Sequence, residues 1–182
     1  MKKNILVFGL VTGVILTAYI FSFNFISEHL HGETDKAVAG YTAMVIAFSF
    51  IFVAIRNFRD KYNAGVVSFG QACWIGLAIS LIGSTCYVAS WLIEYYCFMP
   101  DFMDKYAAAM LAEAQHSGLS AAGLEKKVAQ INNMKEMYKS PVVVVLFSYL
   151  EVLPVGIVIS LITALILRRR NPRQPATSYS KI

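Results

Sequence analysis

The chain has 182 residues, of which 57% are hydrophobic and only 15% are charged. Soluble domains typically carry about 25% charged and about 45–50% apolar residues. A soluble fold of this size has too little interior to bury so much apolar surface, and the same composition excludes a disordered chain. The composition therefore indicates an integral membrane protein. The formal net charge of +5 has to be explained in that context.

Four segments are long, apolar and almost free of charge. They cover about residues 5–26, 37–55, 71–93 and 142–167, and only Glu151 interrupts the last one. A helix needs about 20 apolar residues to cross a hydrocarbon core of about 30 Å. The first segment is longer than the apolar region of a signal peptide, and no small-residue cleavage site precedes Glu28. The sequence therefore predicts four transmembrane helices, the first of them uncleaved.

The segment between the third and fourth spans is expected to form an extracytoplasmic helical hairpin over residues 100–139. Asp101 is placed to cap its first helix, and Ser120 to cap its second. The hairpin would either cover the outer end of the spans or bind a partner. The predicted fold class is thus an all-α membrane protein with one domain, 1–170, followed by a disordered cytoplasmic tail, 171–182.

Charge is distributed unequally between the two sides of this topology. One side, including both termini, carries ten basic residues and one acid, whereas the other carries six basic residues and nine acids. The positive-inside rule places the basic side, and both termini, in the cytoplasm. The basic excess then serves topology and anionic headgroups rather than nucleic acid. The candidate cytoplasmic headgroup contacts are Arg56, Arg59, Lys61, Arg168, Arg169 and Arg170.

Small residues recur at four-residue spacing in each span. Apolar helices in lipid gain no hydrophobic energy by associating, so close approach through small side chains is what holds them together. We expect these positions to pack inside a four-helix bundle, although one face could instead meet a second protomer. The main candidates for packing are Gly9, Gly13, Gly76, Ser80 and Ser160.

Glu151 is the most informative single residue. It lies about 15 Å along the fourth span from Pro141, where an ionised carboxylate costs at least about 2.5–3.5 kcal/mol. It is therefore expected to face protein and to stay protonated. Pro154 frees a backbone carbonyl nearby and Gly156 allows close approach, so the three form a candidate intramembrane polar site. The alternative is a structural Glu that hydrogen-bonds across the bundle.

The sequence contains no pattern that predicts catalysis or a cofactor. His29 and His31 could ligate zinc or copper, but no partner spacing completes a tetrahedral site, and a solvated loop is the favoured interpretation. No nucleophile–base–acid set, phosphate loop or nucleotide fingerprint is present in the sequence. We expect neither a metal nor a cofactor, and no enzymatic activity.

Several short motifs resemble those of one known family. They are Gly40-Tyr41, Phe48-Ser49-Phe50-Ile51-Phe52, Arg59-Asp60-Lys61, Pro100-Asp101-Phe102-Met103, Met137-Tyr138-Lys139-Ser140-Pro141 and Glu151 with Pro154-Val155-Gly156. Together they resemble the bacterial membrane proteins of domain of unknown function 4199, over almost the whole chain. The resemblance implies a four-span protein of the bacterial inner membrane, and it assigns no catalytic residue because the family has no known activity.

Two functions remain open at this point. The first is a non-enzymatic scaffold or accessory protein that uses the 100–139 hairpin to bind a membrane protein or a second copy of itself. The second is a small oligomeric carrier or channel with Glu151 as a protonatable site. We favour the first, because a single intramembrane ionisable group is little for a transporter and no internal repeat supports alternating access.

Overall fold

The structure, a computed structural model, describes residues 1–27 and 33–169, and the side chains of residues 1–22 and 34–169. Within these residues it contains six α-helices and no strand. The helices are α1 (Lys2–Ser27), α2 (Glu33–Asn57), α3 (Phe69–Ile93), α4 (Phe102–His116), α5 (Ala121–Met137) and α6 (Pro141–Leu167).

Four of these helices are long and apolar enough to cross a membrane. Their candidate spans are Lys2–Ser22, Thr34–Tyr62, Phe69–Phe98 and Pro141–Leu167. The prediction of four such helices is confirmed. Two of the spans extend beyond α2 and α3 because a single π-helical turn continues each helix, at Phe58–Tyr62 and Glu94–Phe98.

The charged segment Arg56–Lys61 lies beyond the second predicted span, 37–55, and continues that helix. Arg59 donates to both carboxylate oxygens of Asp60, at 2.7 and 3.2 Å, and Arg56 lies 3.7 Å from the same carboxylate. Opposite charges at the i, i+4 spacing of Arg56 and Asp60 favour the helix modestly. The chain turns only after Tyr62, where Ala64 and Gly65 adopt φ angles of +50° and +78°.

Helix α3 begins with a capping box that the sequence analysis missed. The Ser68 hydroxyl accepts from the Gln71 backbone N–H, and the Gln71 side chain accepts from the Ser68 backbone N–H, both at 3.2 Å. The reciprocal pair satisfies two of the amides that a helix start leaves without partners. The apolar helix therefore starts sharply at Phe69.

The start of α1, the α2–α3 connection and the end of α6 lie together at one end of the molecule. Asn4 donates to the carbonyl of Ala54 at 3.0 Å and accepts from the Asn57 side chain at 2.8 Å. Val67 and Arg169 exchange two backbone hydrogen bonds of 3.2 and 2.8 Å. We call this end proximal, and the end next to α4 and α5 distal.

Small residues bring α3 and α6 into direct contact. A Cβ added at Gly76 would lie 2.7 Å from the Ser160 side chain, and one added at Gly156 would lie 2.7 Å from Ser80 Oγ. The hydroxyls of Ser80 and Ser160 are themselves 3.1 Å apart and hydrogen-bonded. Each glycine thus accommodates a serine of the opposite helix, and no larger residue fits there.

The contact between α1 and α3 follows the same principle. A Cβ added at Gly9 would lie 2.9 Å from Ile82, and one at Gly13 would lie 2.6 Å from Cys86 Sγ. Nearer the distal end, the hydroxyls of Thr17 and Ser90 hydrogen-bond at 2.8 Å. Polar and small side chains together hold these two helices in close contact.

Phe48 of α2 fills the centre of the four long helices. It is fully buried, and its ring lies 3.1 Å from the position of a Cβ at Gly156 and 3.5 Å from one at Gly83. The aromatic ring therefore depends on the absence of side chains at these two glycines. The proximal and central parts of the molecule are closed by this packing.

Helices α4 and α5 pack against each other at the distal end. Asp104 of α4 forms an ion pair with Lys135 of α5, and Ile131 is only 2% exposed. Ser120 caps α5 by accepting from the Gly123 amide at 3.2 Å, as predicted. The prediction that the Asp101 side chain caps α4 is wrong, because this carboxylate forms an ion pair with Lys105 at 2.8 Å and makes no capping hydrogen bond.

Candidate functional site: the distal chamber

A chamber of about 750 Å³ lies at the distal end of the molecule. It is lined by residues of all six helices, so that the four long helices form its wall and α4 and α5 complete it. Its volume is within the range of about 300–1,000 Å³ that small-molecule sites occupy. The residues that determine its chemistry are Tyr19, Lys36, Tyr41, Tyr87, Trp91, Lys105, Tyr106, Tyr138, Ser148 and Glu151.

The floor of the chamber is the closed core described above. Met44 lines the chamber, and Phe48 follows four residues later on the same face of α2. On α6, the lining residue Ser148 is likewise followed by the fully buried Val152. The chamber therefore ends where close helix packing begins.

Glu151 is the only acidic residue among the described residues of the chamber lining. Its side chain is exposed, and it lines this space. Among the described residues, none donates a hydrogen bond to the Glu151 carboxylate or forms an ion pair with it. The structure thus lacks the cross-bundle hydrogen bond that one of the two sequence interpretations required.

Tyrosines surround this carboxylate. Tyr19, Tyr87 and Tyr138 all lie within electrostatic reach of Glu151. Tyr87 is only 7% exposed, yet its hydroxyl has no hydrogen-bond partner among the described residues. Tyr138, outside the candidate spans, has its pKa raised by burial and then by the Glu151 charge, so its phenol is neutral at pH 7.

An aromatic cluster joins α4 to the distal end of α3. Phe102 packs edge-on against Trp91 at a centroid distance of 5.1 Å and stacks on Tyr106 at 5.9 Å. Tyr95 is buried and Trp91 is half-buried in this cluster, whereas the neighbouring Tyr96 and Phe98 are largely exposed.

The structure separates the three residues that the sequence analysis grouped as one polar site. Glu151 faces the chamber, Pro154 is exposed, and Gly156 is buried in the contact between α3 and α6. Gly156 therefore has a packing environment, as do Gly9, Gly13, Gly76, Ser80 and Ser160. Of the sequence candidates, only Glu151 lies in the chamber.

The aromatic lining was missed because each tyrosine was considered alone. Tyr19 and Tyr87 carry hydroxyls inside otherwise apolar spans, and Tyr106 and Tyr138 lie on the apolar faces of α4 and α5. A polar atom in an apolar span is the signal that could have singled out the first two. Their convergence on Glu151 depends on how the helices pack, which no local pattern encodes.

Basic residues mark the proximal end. Arg59 is engaged by Asp60, while Arg56, Lys61, Arg168 and Arg169 are exposed. Arg170, like His29 and His31, lies outside the described residues. No group of three potential metal ligands occurs in the part of the chain that the structure describes.

A family model described as "Protein of unknown function (DUF4199)" matches residues 7–169 of the chain. The chain belongs to this family. The match covers all four candidate spans from residue 7 onward, together with α4 and α5, so it includes every helix that lines the chamber. No curated protein and no solved structure matches the chain significantly. The family resemblance predicted from the short motifs is confirmed. Because the family has no assigned function, the function of this protein has to be argued from the chamber.

Proposed function

We propose that this DUF4199 protein is a multi-pass protein of a bacterial inner membrane with both termini in the cytoplasm. The proposal is supported by the hydrogen bonds that bring Asn4, Ala54, Val67 and Arg169 to the same end of the molecule. The basic residues of the sequence concentrate at that end, and a basic excess favours the cytoplasmic side. In this orientation α4 and α5 form an extracytoplasmic hairpin, and the chamber lies in the outer half of the membrane.

The orientation can be tested with a reporter enzyme that is active only outside the cytoplasm. A fusion after Ala122, next to the start of α5, should be active. Fusions after Lys61 or Lys181 should be inactive, because both positions follow basic segments. The reverse pattern would refute the orientation.

We further propose that the protein has a non-enzymatic accessory function based on binding a small molecule in the distal chamber. The observation that carries this proposal is the combination of volume and lining: about 750 Å³ bordered by aromatic rings and a carboxylate without a described partner. Pockets with mostly apolar walls and a few polar groups are typical of small-molecule sites. The Ser148 hydroxyl in the lining donates to the Val144 carbonyl, which supports a binding role over a nucleophilic one.

Trp91 provides a direct probe of the chamber. In a Trp74→Phe background, which removes the tryptophan that is 63% exposed near the proximal end, Trp91 is the only remaining tryptophan. We expect triphenylphosphine oxide, a neutral aromatic probe, to quench Trp91 fluorescence saturably in purified protein.

Two neighbouring variants test whether that quenching reports the chamber. Ala109 lines the chamber, so Ala109→Phe should reduce the saturable quenching. Ala108 is exposed on the same helix but is not a lining residue, so Ala108→Phe should leave it unchanged. Equal quenching in the two variants, or no saturable quenching at all, would refute the binding function.

A carrier is the second candidate, and the depth of Glu151 favours it. The carboxylate lies about 15 Å from the distal end of α6, so the chamber reaches well into the span. A carrier requires flux of protons or solutes in proteoliposomes that Glu151→Gln abolishes. The accessory function predicts no flux with the wild-type protein.

A further inference from the structure

The chamber brings one acidic group and several aromatic faces to the same place. Glu151 is the single carboxylate in the described lining, and the rings of Tyr19, Tyr87, Trp91 and Tyr138 border the same space. The negative face of an aromatic ring attracts a cation within about 6 Å of its centroid, most strongly for Trp and in desolvated sites. Both kinds of group favour positive charge.

Two polar side chains of the lining, Glu151 and Tyr87, make no hydrogen bond with a described residue. The Glu151 carboxylate receives no hydrogen bond and forms no ion pair among the described residues. The Tyr87 side chain is 7% exposed and lines the same chamber. Both side chains border the chamber, so a ligand bound there has a carboxylate and a phenol hydroxyl available for polar contacts.

The two lysines of the lining do not cancel this preference. Lys105 forms an ion pair with Asp101 at 2.8 Å, and neither Lys105 nor Lys36 forms an ion pair with Glu151. Both lie on segments at the distal edge, near the start of α4 and the start of α2. Glu151 lies deeper, on the part of α6 adjacent to the closed core.

We propose that the distal chamber binds a monovalent organic cation with an apolar body. Its positive charge lies beside Glu151 and the aromatic faces of Tyr87 and Trp91, and its apolar body fills the space beneath α4. The inference rests on the proposed binding function and adds the chemical class of the ligand. A substituted ammonium with a hydrocarbon body has this chemistry, whether it is a free compound or the headgroup of an aminolipid.

Three phenyl-substituted probes of different charge test the proposal. Tetraphenylphosphonium is a cation, triphenylphosphine oxide is neutral and tetraphenylborate is an anion. Each is titrated against the Trp74→Phe protein while Trp91 fluorescence is followed. We expect the cation to bind about tenfold or more tightly than the neutral probe, given the strength of cation–π and carboxylate interactions in desolvated sites.

Two substitutions assign that preference to residues. Glu151→Gln keeps the shape of the side chain and removes the negative charge that a bound cation would face. The cation should therefore bind about tenfold more weakly, and the affinity for the neutral probe should not change. Ala109→Phe should weaken the binding of both probes, whereas Ala108→Phe should weaken the binding of neither. Circular dichroism and gel filtration of each variant establish that it is folded. Should Glu151→Gln not fold, Glu151→Asp replaces it, and its shorter side chain should selectively weaken the cation.

The possible outcomes separate the ligand class from the binding function. Cation binding that does not change with Glu151→Gln overturns the inference, and so does preferential binding of tetraphenylborate. In both cases the sensitivity of binding to Ala109→Phe still decides the binding function. If the binding of every probe is insensitive to Ala109→Phe, both proposals are overturned.

Protein in nanodiscs with and without phosphatidylethanolamine tests whether the ligand is a free compound or an aminolipid. Phosphatidylethanolamine should compete with tetraphenylphosphonium only if the ligand is an aminolipid.

Discussion

The proximal and distal halves of the four long helices are built on opposite principles. In the proximal and central part, glycines and serines let helices touch, and the Phe48 ring fills the remaining space. In the distal part, tyrosines and a tryptophan border a chamber of about 750 Å³. Lipid supplies no hydrophobic force for helix association, so the small-residue contacts are what stabilise the assembly. The closed half can then support a distal half that contains an open chamber.

The largest loss of stability is expected in the closed half, from the substitution Gly156→Leu. A Cβ at this position would already lie 2.7 Å from Ser80 Oγ and 3.1 Å from the Phe48 ring, so a larger side chain forces α3 and α6 apart. We expect a loss of about 3 kcal/mol in unfolding free energy, near the upper end of typical overpacking costs. Thermal unfolding in detergent measures it.

Gly70→Leu is the matched control for this substitution. Gly70 lies in the first turn of α3, and no atom lies within 4 Å of a Cβ added there. Its effect should remain within about 0.5 kcal/mol, as for most surface substitutions. Similar stability of the Gly156 and Gly70 variants would show that the closed half is not tightly packed.

A smaller loss of stability is expected from a change in α4, which covers the distal chamber. Phe102→Ala removes the ring that contacts Trp91, Tyr95 and Tyr106, so α4 loses its aromatic connection to α3. We expect a loss of about 1.5 kcal/mol, on the scale of aromatic pair energies. Trp91 emission should also shift to longer wavelength as water reaches the ring.

Phe98→Ala serves as the comparison for the aromatic cluster. This ring is 65% exposed and contacts Phe21 at a centroid distance of 6.3 Å, outside the cluster. The Trp91 emission should therefore not change. If Phe102→Ala leaves both stability and emission unaltered, α4 does not cover the chamber.

The open half should tolerate the loss of its most polar residue. Glu151→Leu removes a carboxylate that has no described partner, so no buried group is left without a hydrogen bond. We expect the unfolding free energy to change by no more than about 0.5 kcal/mol, and thermal unfolding is again the measurement. A loss of about 1–3 kcal/mol would indicate a lost hydrogen bond to a buried partner and a structural role for Glu151.

The smallest effect concerns the ion pair between Asp101 and Lys105 at the start of α4. The hydrogen bond from Lys105 lowers the pKa of the exposed Asp101 carboxyl below its ordinary value. The ion pair therefore contributes its full stabilisation above about pH 3.9, which is the ordinary pKa of an Asp carboxyl. This stabilisation is lost as the pH falls through the lowered pKa of Asp101. Asp101→Asn should be slightly less stable than wild type at pH 7, and the difference should vanish in acid. A difference that grows in acid would contradict this.

The sequence was sufficient for the parts of the fold that depend on local composition. The four long apolar helices follow from runs without charge, and the start of α5 follows from Ser120, because a serine before an amphipathic run provides a side-chain acceptor for the first amides. The helical continuation through Arg56–Lys61 was not predicted, because a charged run gives no local signal for the ion pairs that Asp60 forms there with Arg56 and Arg59.

The candidate site could be predicted only in part. Glu151 is recognisable from a single charge in an apolar segment, whereas the tyrosines around it come from α1, α3 and the end of α5. Asp101 shows the same limit on a small scale, because a lysine one turn away competes for the carboxylate that would otherwise cap α4. Interactions between elements, rather than within them, decide both cases.

The most direct test of the difference between the two halves is to locate a bound cation by its own scattering. Crystals of the full chain grown with tetraphenylarsonium would show the arsenic by anomalous diffraction. We predict one site in the distal chamber, with the arsenic beside Glu151 and within about 6 Å of an aromatic ring centroid, and no site among the proximal helix contacts. Arsenic bound only on the outer, lipid-facing helix surfaces, with an empty chamber, would contradict the account.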